Sequence, residues 1–209
     1  MEKLLKFMGF IGDLKQVRRT GWVLRKVKEP ESVADHMYRM AILSFLVEPS
    51  SGLNKDRCIK ISLVHDLAEC IVGNLTPQDD ILKSEKRKQE MEAMKHICSL
   101  VPEEVGNELY ELWEDYEFQR SAEAMFVKDL DKFEMILQAH EYEKLSNSPG
   151  KLQEFFDSTK VIWWGTVFIG GRENPDTMYL GRDHQLSESK LENFLTYQCE
   201  RDLNPRRQR

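Results

Sequence analysis

The sequence predicts an all-α fold for residues 1–159, on three observations. Apolar residues recur at three- and four-residue intervals in seven stretches. Capping residues or proline precede most of these stretches, and loops with Gly, Pro, Ser or Asn separate them. The composition, 41% hydrophobic and 32% charged among 209 residues, is typical of a folded domain and not of a disordered chain. The length suits about one domain.

The first three helices are predicted from their apolar spacing and their caps. The first covers residues 3–18, and an extended segment follows it to Pro30. Ser32 opens the second helix and has capping-box spacing to Asp35, which replaces the usual Glu. Asn54 caps the third helix. Five residues are predicted to lie on the inner side of this third helix: Cys58, Ile61, His65, Ala68 and Val72. Gly73 is predicted to end it.

Four more helices are predicted after a loop at residues 74–83. Ser84 caps the fourth, which is strongly charged on its outer side. Pro102 starts the fifth, and Ser121 caps a long sixth helix that runs to about residue 145. A short seventh helix is expected at residues 152–156. These elements make up the all-α domain.

The character of the sequence changes at residue 160. Residues 161–169 are β-branched and aromatic, and the last residues are polar and basic. We therefore expect two parts, a helical domain of residues 1–159 and a divergent C-terminal tail of residues 160–209, whose structure the pattern does not specify.

Charge and composition limit the expected partners and compartment. The formal net charge of −6 disfavours long nucleic acid, which needs a broad basic surface, but it permits a single nucleotide. No apolar stretch is long enough to span a bilayer, and the N-terminus lacks the apolar core of a signal peptide. The four cysteines contain no C-x-x-C pair, which indicates reduced thiols. A cytoplasmic protein is expected, with the nucleus as the other possibility.

Residues 14–28, between Asp13 and Glu29, form a basic segment that contains no acidic residue. Its six cations are Lys15, Arg18, Arg19, Arg25, Lys26 and Lys28. Taken alone, such a segment is either a solvated basic face or a local patch that attracts anions.

Histidines and acids at helical positions predict one divalent-metal site. Neighbours such as His65 and Asp66 point about 100° apart on a helix, so both reach an ion only over the helix edge. The alternative for His65 is a hydrogen-bonded core histidine. His36 and Asp131 are expected on the inner sides of two other helices, and a buried Asp needs a cation or an ion pair. Glu69, one turn after His65, can exchange protons with a metal-bound water.

This H…HD…D order on helices resembles the HD-domain metallophosphohydrolases. Residues 19–22, 30–40, 63–73 and 127–135 are similar to the 5′-deoxynucleotidase branch, in particular its eukaryotic HD domain-containing protein 2 group. The resemblance covers about residues 3–159. It implies an HD-domain helical bundle and a homodimer.

The resemblance also implies roles for individual residues. One divalent cation, Mn²⁺, Co²⁺ or Mg²⁺ with Zn²⁺ also possible, is expected on His36, His65, Asp66 and Asp131. Glu69 is expected to act in catalysis. Arg19 and Trp22 resemble a substrate-binding pair, in which Arg19 holds a phosphate. Without the resemblance, Trp22 is at least as well explained as a core tryptophan.

Two departures from the family pattern stand out. The family usually has Gly-Asp after the third helix, where this chain has Gly73-Asn74. A possible second cation is implied on Glu69, Asn74 and the carbonyl of Leu75. Because Asn74 offers oxygen but no charge, we expect a weaker second position or altered sugar discrimination. The other departure is the tail, which does not resemble the family.

The expected activity is metal-dependent hydrolysis of deoxynucleoside 5′-monophosphates to deoxynucleoside and phosphate. One alternative is another HD chemistry, triphosphohydrolase or phosphodiesterase action. The other is a catalytically impaired nucleotide-binding protein, which Asn74 and the tail favour. Product analysis separates the first alternative, and binding without turnover would identify the second.

Overall fold

The computed structural model describes residues 1–76 and 81–158, and within these ranges the regular structure is helical, which confirms the predicted all-α fold. The predicted tail, residues 160–209, lies outside the described residues, so its boundary stays a prediction. The helices are α1 (Glu2–Asp13), α2 (Thr20–Leu24), α3 (Val33–Ser44), α4 (Lys55–Val64), α5 (Glu69–Val72), α6 (Lys83–Cys98), α7 (Glu103–Phe118), α8 (Ala122–Ser146) and α9 (Gln153–Asp157).

The chain divides into two compact units, one of residues 1–134 and one that begins at residue 135. All the predicted site residues belong to the first unit. The second unit is described to residue 158 and contains the end of α8 and the short α9. None of the described helices combines the length and the apolar character that crossing a membrane requires.

The start of α3 is set by the predicted capping box. The Ser32 hydroxyl accepts a hydrogen bond from the Asp35 backbone N–H at 3.1 Å, and the Asp35 carboxylate accepts one from the Ser32 N–H at 2.8 Å. Such a cap is worth about 1 kcal/mol. It places His36 in the first turn of α3, fully buried beside Val33 and Met37. This helix packs against α4.

The predicted third helix is interrupted, so that prediction was wrong in its extent. Asn54 does cap it, but α4 ends at Val64, and α5 begins only at Glu69. Between them, the N–H of Leu67 bonds to the carbonyl of Val64 and the N–H of Glu69 to that of Asp66, both at 3.0 Å. These three-residue bonds tighten the turn. His65, Asp66 and Glu69 therefore do not share one continuous helix face.

The first predicted helix was too long, and the extended segment after it was wrong in part. Helix α1 ends at Asp13, and the short helix α2 occupies residues 20–24 inside the predicted extended segment. Backbone bonds from Val33 N–H to Val17 carbonyl (2.8 Å) and from Arg19 N–H to Glu31 carbonyl (3.1 Å) join the two ends of this segment. Arg19 is thereby brought next to the start of α3.

The later helices start close to where their caps predict. Helix α6 begins at Lys83 with Leu82 as its N-cap, so the predicted Ser84 cap was wrong by two residues. Helix α7 follows Pro102, and the Ser121 hydroxyl accepts a bond from the Ala124 N–H at 3.0 Å at the start of α8, as predicted. Helix α7 packs against both α4 and α6. Val127 and Leu130 are buried on α8. This inner side of α8 also carries Asp131.

Candidate metal centre

Four predicted ligands meet where three parts of the fold converge. His36 comes from the first turn of α3, His65 and Asp66 from the turn after α4, and Asp131 from α8. Nε2 of His36 lies 3.3 Å from Oδ1 of Asp131 and 4.0 Å from Oδ2 of Asp66. Nε2 of His65 lies 3.2 Å from the same Asp66 oxygen. Ligand atoms of His36, His65 and Asp131 all lie within 4.8 Å of one another.

The two imidazole nitrogens at the centre of this cluster fit a divalent cation. Nε2 of His36 and Nε2 of His65 are buried and have no hydrogen-bond partner in the described part of the chain. A buried polar atom without a partner is costly and needs an explanation. Two imidazoles with carboxylates are a common donor set for first-row divalent metals. A cation shared by the two nitrogens would satisfy both of them.

The other nitrogen of each ring is held by a group that accepts hydrogen bonds. Nδ1 of His36 lies 2.5 Å from Oε2 of Glu134, and Nδ1 of His65 lies 2.9 Å from the carbonyl of Ser62. The carboxylate of Glu134 and the carbonyl of Ser62 accept hydrogen bonds. In each neutral ring, Nδ1 is therefore the nitrogen that carries the hydrogen. Nε2 of the neutral ring is then the atom free to bind a metal.

Asp131 is held as a carboxylate by its neighbours. The Tyr116 hydroxyl donates to Oδ2 of Asp131 at 2.7 Å, and Nζ of Lys128 lies 3.3 Å from the same oxygen. Burial raises the pKa of Asp131, but Lys128 and the two site histidines outweigh burial and hold that pKa well below its usual range. Its other oxygen, Oδ1, faces His36.

Charge pairing also shifts the pKa values of His36 and Asp66. Burial and Arg19 lower the pKa of His36, yet Glu134 and Asp131 outweigh them and raise it to about 9. Burial raises the pKa of Asp66, but the nearby His65 reverses the effect and lowers it. The raised pKa of His36 therefore reflects the surrounding carboxylate charge. A bound cation would balance that charge instead and would need the neutral ring, since metal ligands bind deprotonated.

Glu134 was not among the predicted site residues. It is completely buried, and besides His36 it binds Arg39, whose Nε and Nη2 lie 2.8 Å and 2.6 Å from Oε1. Burial raises its pKa, but His36 outweighs burial and lowers it. A signal existed, because Glu134 follows Asp131 by three residues and so lies on the same face of α8.

Arg19 lies at the edge of the cluster, where a phosphate anchor was predicted. Its Nη1 is 3.6 Å from Oδ2 of Asp66, and its Nε is 3.8 Å from Oε1 of Glu31. Four other cations of the basic segment, Lys15, Arg18, Lys26 and Lys28, are exposed. The segment thus contributes one arginine to the site and a solvated basic face elsewhere.

Trp22 occupies a buried position behind Arg19. Only 1% of its surface is exposed, and its indole N–H donates to Oε1 of Glu31 at 2.9 Å. Glu31 in turn pairs with Arg19. In this arrangement the indole acts on Arg19 through Glu31, and a direct contact between Trp22 and substrate stays a prediction.

Glu69 and Asn74 form a second polar group beside the cluster. Nδ2 of Asn74 lies 2.9 Å from each carboxylate oxygen of Glu69. Glu69 is almost fully buried, and burial, followed by the charge of Asp66, raises its pKa well above the ordinary value. The carbonyl of Leu75 accepts a bond from Nζ of Lys86 at 3.0 Å. Of the three residues predicted for a second cation, Glu69 and Asn74 are therefore in direct contact, while the Leu75 carbonyl is bound by Lys86.

Comparisons with known proteins identify relatives across most of the chain. A family model described as the HD domain matches residues 11–166. A mouse protein named 5′-deoxynucleotidase HDDC2 is 61% identical over 156 residues, which cover 75% of this chain and 78% of the mouse protein. A fission yeast protein, 5′-deoxynucleotidase hdd1, is 45% identical over 163 residues, covering 76% and 82%. A conserved hypothetical protein from Pyrococcus furiosus, of solved structure, is 34% identical with a TM-score of 0.61, covering 74% and 90%.

Proposed function

The chain belongs to the HD-domain family, and we propose that it is a metal-dependent 5′-deoxynucleotidase that hydrolyses deoxynucleoside 5′-monophosphates to deoxynucleoside and phosphate. The relatives named 5′-deoxynucleotidase support the reaction. The observation that carries the proposal is the pair of buried imidazole nitrogens, Nε2 of His36 and Nε2 of His65, which have no hydrogen-bond partner among residues 1–76 and 81–158. They face the carboxylates of Asp66 and Asp131, and Arg19 lies at the edge of this group.

The cation would be held by His36, His65, Asp66 and Asp131. Mn²⁺, Co²⁺ and Mg²⁺ are our candidates, with Zn²⁺ as a fourth, since two nitrogen and two oxygen donors suit all of them to differing degrees. When bound, the cation supplies a Lewis acid for a phosphate oxygen and makes a bound water more acidic. Glu134 and the Ser62 carbonyl orient the two imidazoles toward it.

Arg19 and Glu69 supply the remaining chemistry from the protein. The guanidinium of Arg19 would bind the phosphate and fix its orientation, because it offers planar, charged donors that match phosphate oxygens. Trp22 supports it through Glu31. Glu69, buried between Asp66 and Asn74, is our candidate for moving a proton toward the leaving 5′-oxygen. Neither step needs a residue outside the first unit.

We also propose that the protein works as a homodimer in a reducing compartment, the cytoplasm or the nucleus. The dimer comes from the resemblance. The compartment is supported by the free thiols of Cys58, Cys70 and Cys98, since disulfides are rare in reducing compartments. Light scattering on the purified full chain tests the dimer, and a monomer at micromolar concentration would contradict it.

A phosphatase screen tests the activity. Metal-free full-length protein is supplied with each cation in turn and offered deoxy- and ribonucleoside monophosphates, and phosphate release is measured. We expect turnover of the deoxynucleotides with at least one of the four cations and none without metal. Asp66→Asn should lower turnover by about 100-fold or more, because it removes a ligand charge. The exposed Asp56→Asn is the matched control and should behave like wild type.

Three results would redirect the proposal. Release of tripolyphosphate from deoxynucleoside triphosphates, with no turnover of monophosphates, would identify a triphosphohydrolase. Hydrolysis of phosphodiesters alone would identify a phosphodiesterase. Nucleotide binding without turnover, at full metal occupancy, would identify an impaired binding protein. Wild-type turnover by Asp66→Asn with confirmed metal content would overturn the mechanism.

A further inference from the structure

We propose that this chain binds a single divalent cation, because Asn74 and Lys86 already satisfy the groups that a second cation would need. The inference rests on the proposed function, since it takes the cluster around His36 as the place of the first cation. It concerns the position that the family pattern implies on Glu69, Asn74 and the Leu75 carbonyl. The donors there do not fit a second ion.

The Glu69 carboxylate is occupied on both oxygens. Nδ2 of Asn74 donates to Oε1 and to Oε2, each at 2.9 Å. The orientation of the amide is fixed by the Thr20 backbone N–H, which can only donate and therefore pairs with Oδ1, so that Nδ2 faces Glu69. A cation on this side of Glu69 would therefore meet the hydrogens of the amide, which carry partial positive charge.

The oxygens of Asn74 are occupied as well. Its side-chain Oδ1 accepts from the Thr20 backbone N–H at 2.7 Å, and its backbone carbonyl accepts from the Thr20 hydroxyl at 2.6 Å. Turning the amide to offer Oδ1 to a cation would break the bonds to Glu69 and to Thr20 together. Hydrogen bonds to a charged group contribute more to stability than bonds between neutral groups, so a rotation that loses both bonds to Glu69 together with the bond from Thr20 is opposed.

The third candidate ligand, the Leu75 carbonyl oxygen, accepts a hydrogen bond from the ammonium group of Lys86. Nζ of Lys86, on α6, lies 3.0 Å from the Leu75 carbonyl oxygen and 3.5 Å from Oε1 of Glu90. A divalent cation that reached the same carbonyl would stand next to this ammonium group. Like charges at such a distance repel strongly, more so where water is partly excluded. Lys86 therefore acts as a built-in monovalent cation at this place.

The contrast with the first cation position supports the inference. At the first position, two buried imidazole nitrogens have no hydrogen-bond partner in the described residues. At the second position, each oxygen that could bind a cation already accepts a hydrogen bond. The two candidate ligand groups found among residues 1–76 and 81–158 both contain His36, so they provide for one ion between them.

Metal stoichiometry tests the inference without reference to turnover. Metal-free full-length protein is dialysed against increasing concentrations of Mn²⁺. The amount of bound manganese per chain is then measured by inductively coupled plasma mass spectrometry. Electron paramagnetic resonance then reports whether the bound Mn²⁺ ions are coupled. We expect one ion per chain and the signal of an isolated ion. Two ions would overturn the inference and leave the proposed function standing, whereas no bound ion would overturn both.

Paired variants test whether these two residues are the cause. The double variant Asn74→Asp/Lys86→Met adds a carboxylate beside Glu69 and frees the Leu75 carbonyl, so we expect a second Mn²⁺ per chain and a coupled signal. Asn107→Asp/Lys88→Met makes the same charge change at exposed positions on α7 and α6 and should bind one ion. If the Asn74/Lys86 double variant is folded by circular dichroism and still binds one ion, the assignment to these two residues fails. If it does not fold, the wild-type stoichiometry decides alone.

Discussion

Glu134 binds His36 on the side of the imidazole ring that faces away from the proposed cation. Its carboxylate is completely buried and is paired with both His36 and Arg39. A buried carboxylate is tolerated only with such partners. The bond to Nδ1 keeps the hydrogen on that nitrogen and aims Nε2 at Asp131. Glu134 is therefore an outer partner of a ligand, which makes it a positioning residue.

Replacing Glu134 by Gln should weaken metal binding. The amide keeps the shape of the side chain but removes the charge that orients His36, and loss of such an outer partner lowers metal affinity by about 10- to 100-fold. Isothermal titration of metal-free protein with Mn²⁺ measures the change. Glu108→Gln is the control, since Glu108 is an exposed residue paired with Lys60 and should leave affinity unchanged. Equal affinities for the two variants would contradict the role of Glu134.

Replacing Arg19 by Lys should weaken substrate binding. Lysine keeps the charge but lacks the planar fork that binds phosphate through two hydrogen bonds. We expect KM for a deoxynucleoside monophosphate to rise by about tenfold or more, measured by steady-state phosphate release at saturating metal. The adjacent Arg18→Lys is the control, because Arg18 is exposed and donates to the Pro30 carbonyl. An unchanged KM in Arg19→Lys would remove Arg19 from the phosphate site.

Sequence reasoning proposed His36, His65, Asp66 and Asp131 as ligands, which the structure brings together, but it did not predict the side chains that hold them. His65-Asp66 stands out in the sequence because a histidine and an acid are adjacent on an apolar helix side. Glu134 is marked only by its three-residue spacing from Asp131, and this spacing alone does not distinguish it from the solvated glutamates that are usual on a charged helix. The bond from Thr20 to Asn74 joins residues 54 positions apart, and spacing does not reveal contacts of that range. Such partners become visible only when the fold is known.

At the scale of elements, periodicity predicts helices better than it predicts their interruptions. The apolar residues from Cys58 to Val72 fit one continuous helix, yet the chain tightens into a turn at His65–Ala68. A tight turn and a helix share almost the same apolar spacing, so the pattern does not separate them. Helix α2 was missed for a related reason, since five residues are too few to show a period. Caps were more informative, and Ser32, Asn54 and Ser121 all act as predicted.

The packing of α7 against α6 depends on a glycine. A Cβ atom built on Gly106 would lie 2.5 Å from the backbone carbonyl oxygen of Cys98, a contact that forces a backbone shift. Gly106→Ala should therefore destabilise the protein by about 1–3 kcal/mol, as overpacking does. Gly9→Ala is the control, because none of the described residues outside its own helix and chain neighbours comes within 4 Å of a Cβ built there. In the helix interior this control should stabilise by about 0.5–1 kcal/mol. Urea unfolding measures both, and a destabilisation of equal size in the two variants would contradict the close contact.

At the scale of the whole molecule, the site concentrates negative charge in a protein that is already negative. The formal net charge is −6, and Asp66, Asp131, Glu31, Glu134 and Glu69 all lie in or beside the cluster. Arg19, Arg39 and Lys128 balance part of this charge. A divalent cation would balance more of it, and unlike the arginines it can be removed. Stability of the folded chain should therefore depend on metal.

Addition of Mn²⁺ should raise the melting temperature of metal-free protein. A ligand that binds only the folded state at 100 times its dissociation constant adds about 2.7 kcal/mol. For a chain of this size, that corresponds to a shift of about 5–10 °C. Asp131→Asn should lose most of the shift, because it removes a ligand charge while keeping the side-chain size. Asp129→Asn is a close control, since Asp129 lies two residues earlier on α8, is equally buried and pairs with Lys132 outside the cluster. If both variants kept the wild-type shift, the ion that stabilises the protein would bind somewhere other than Asp131.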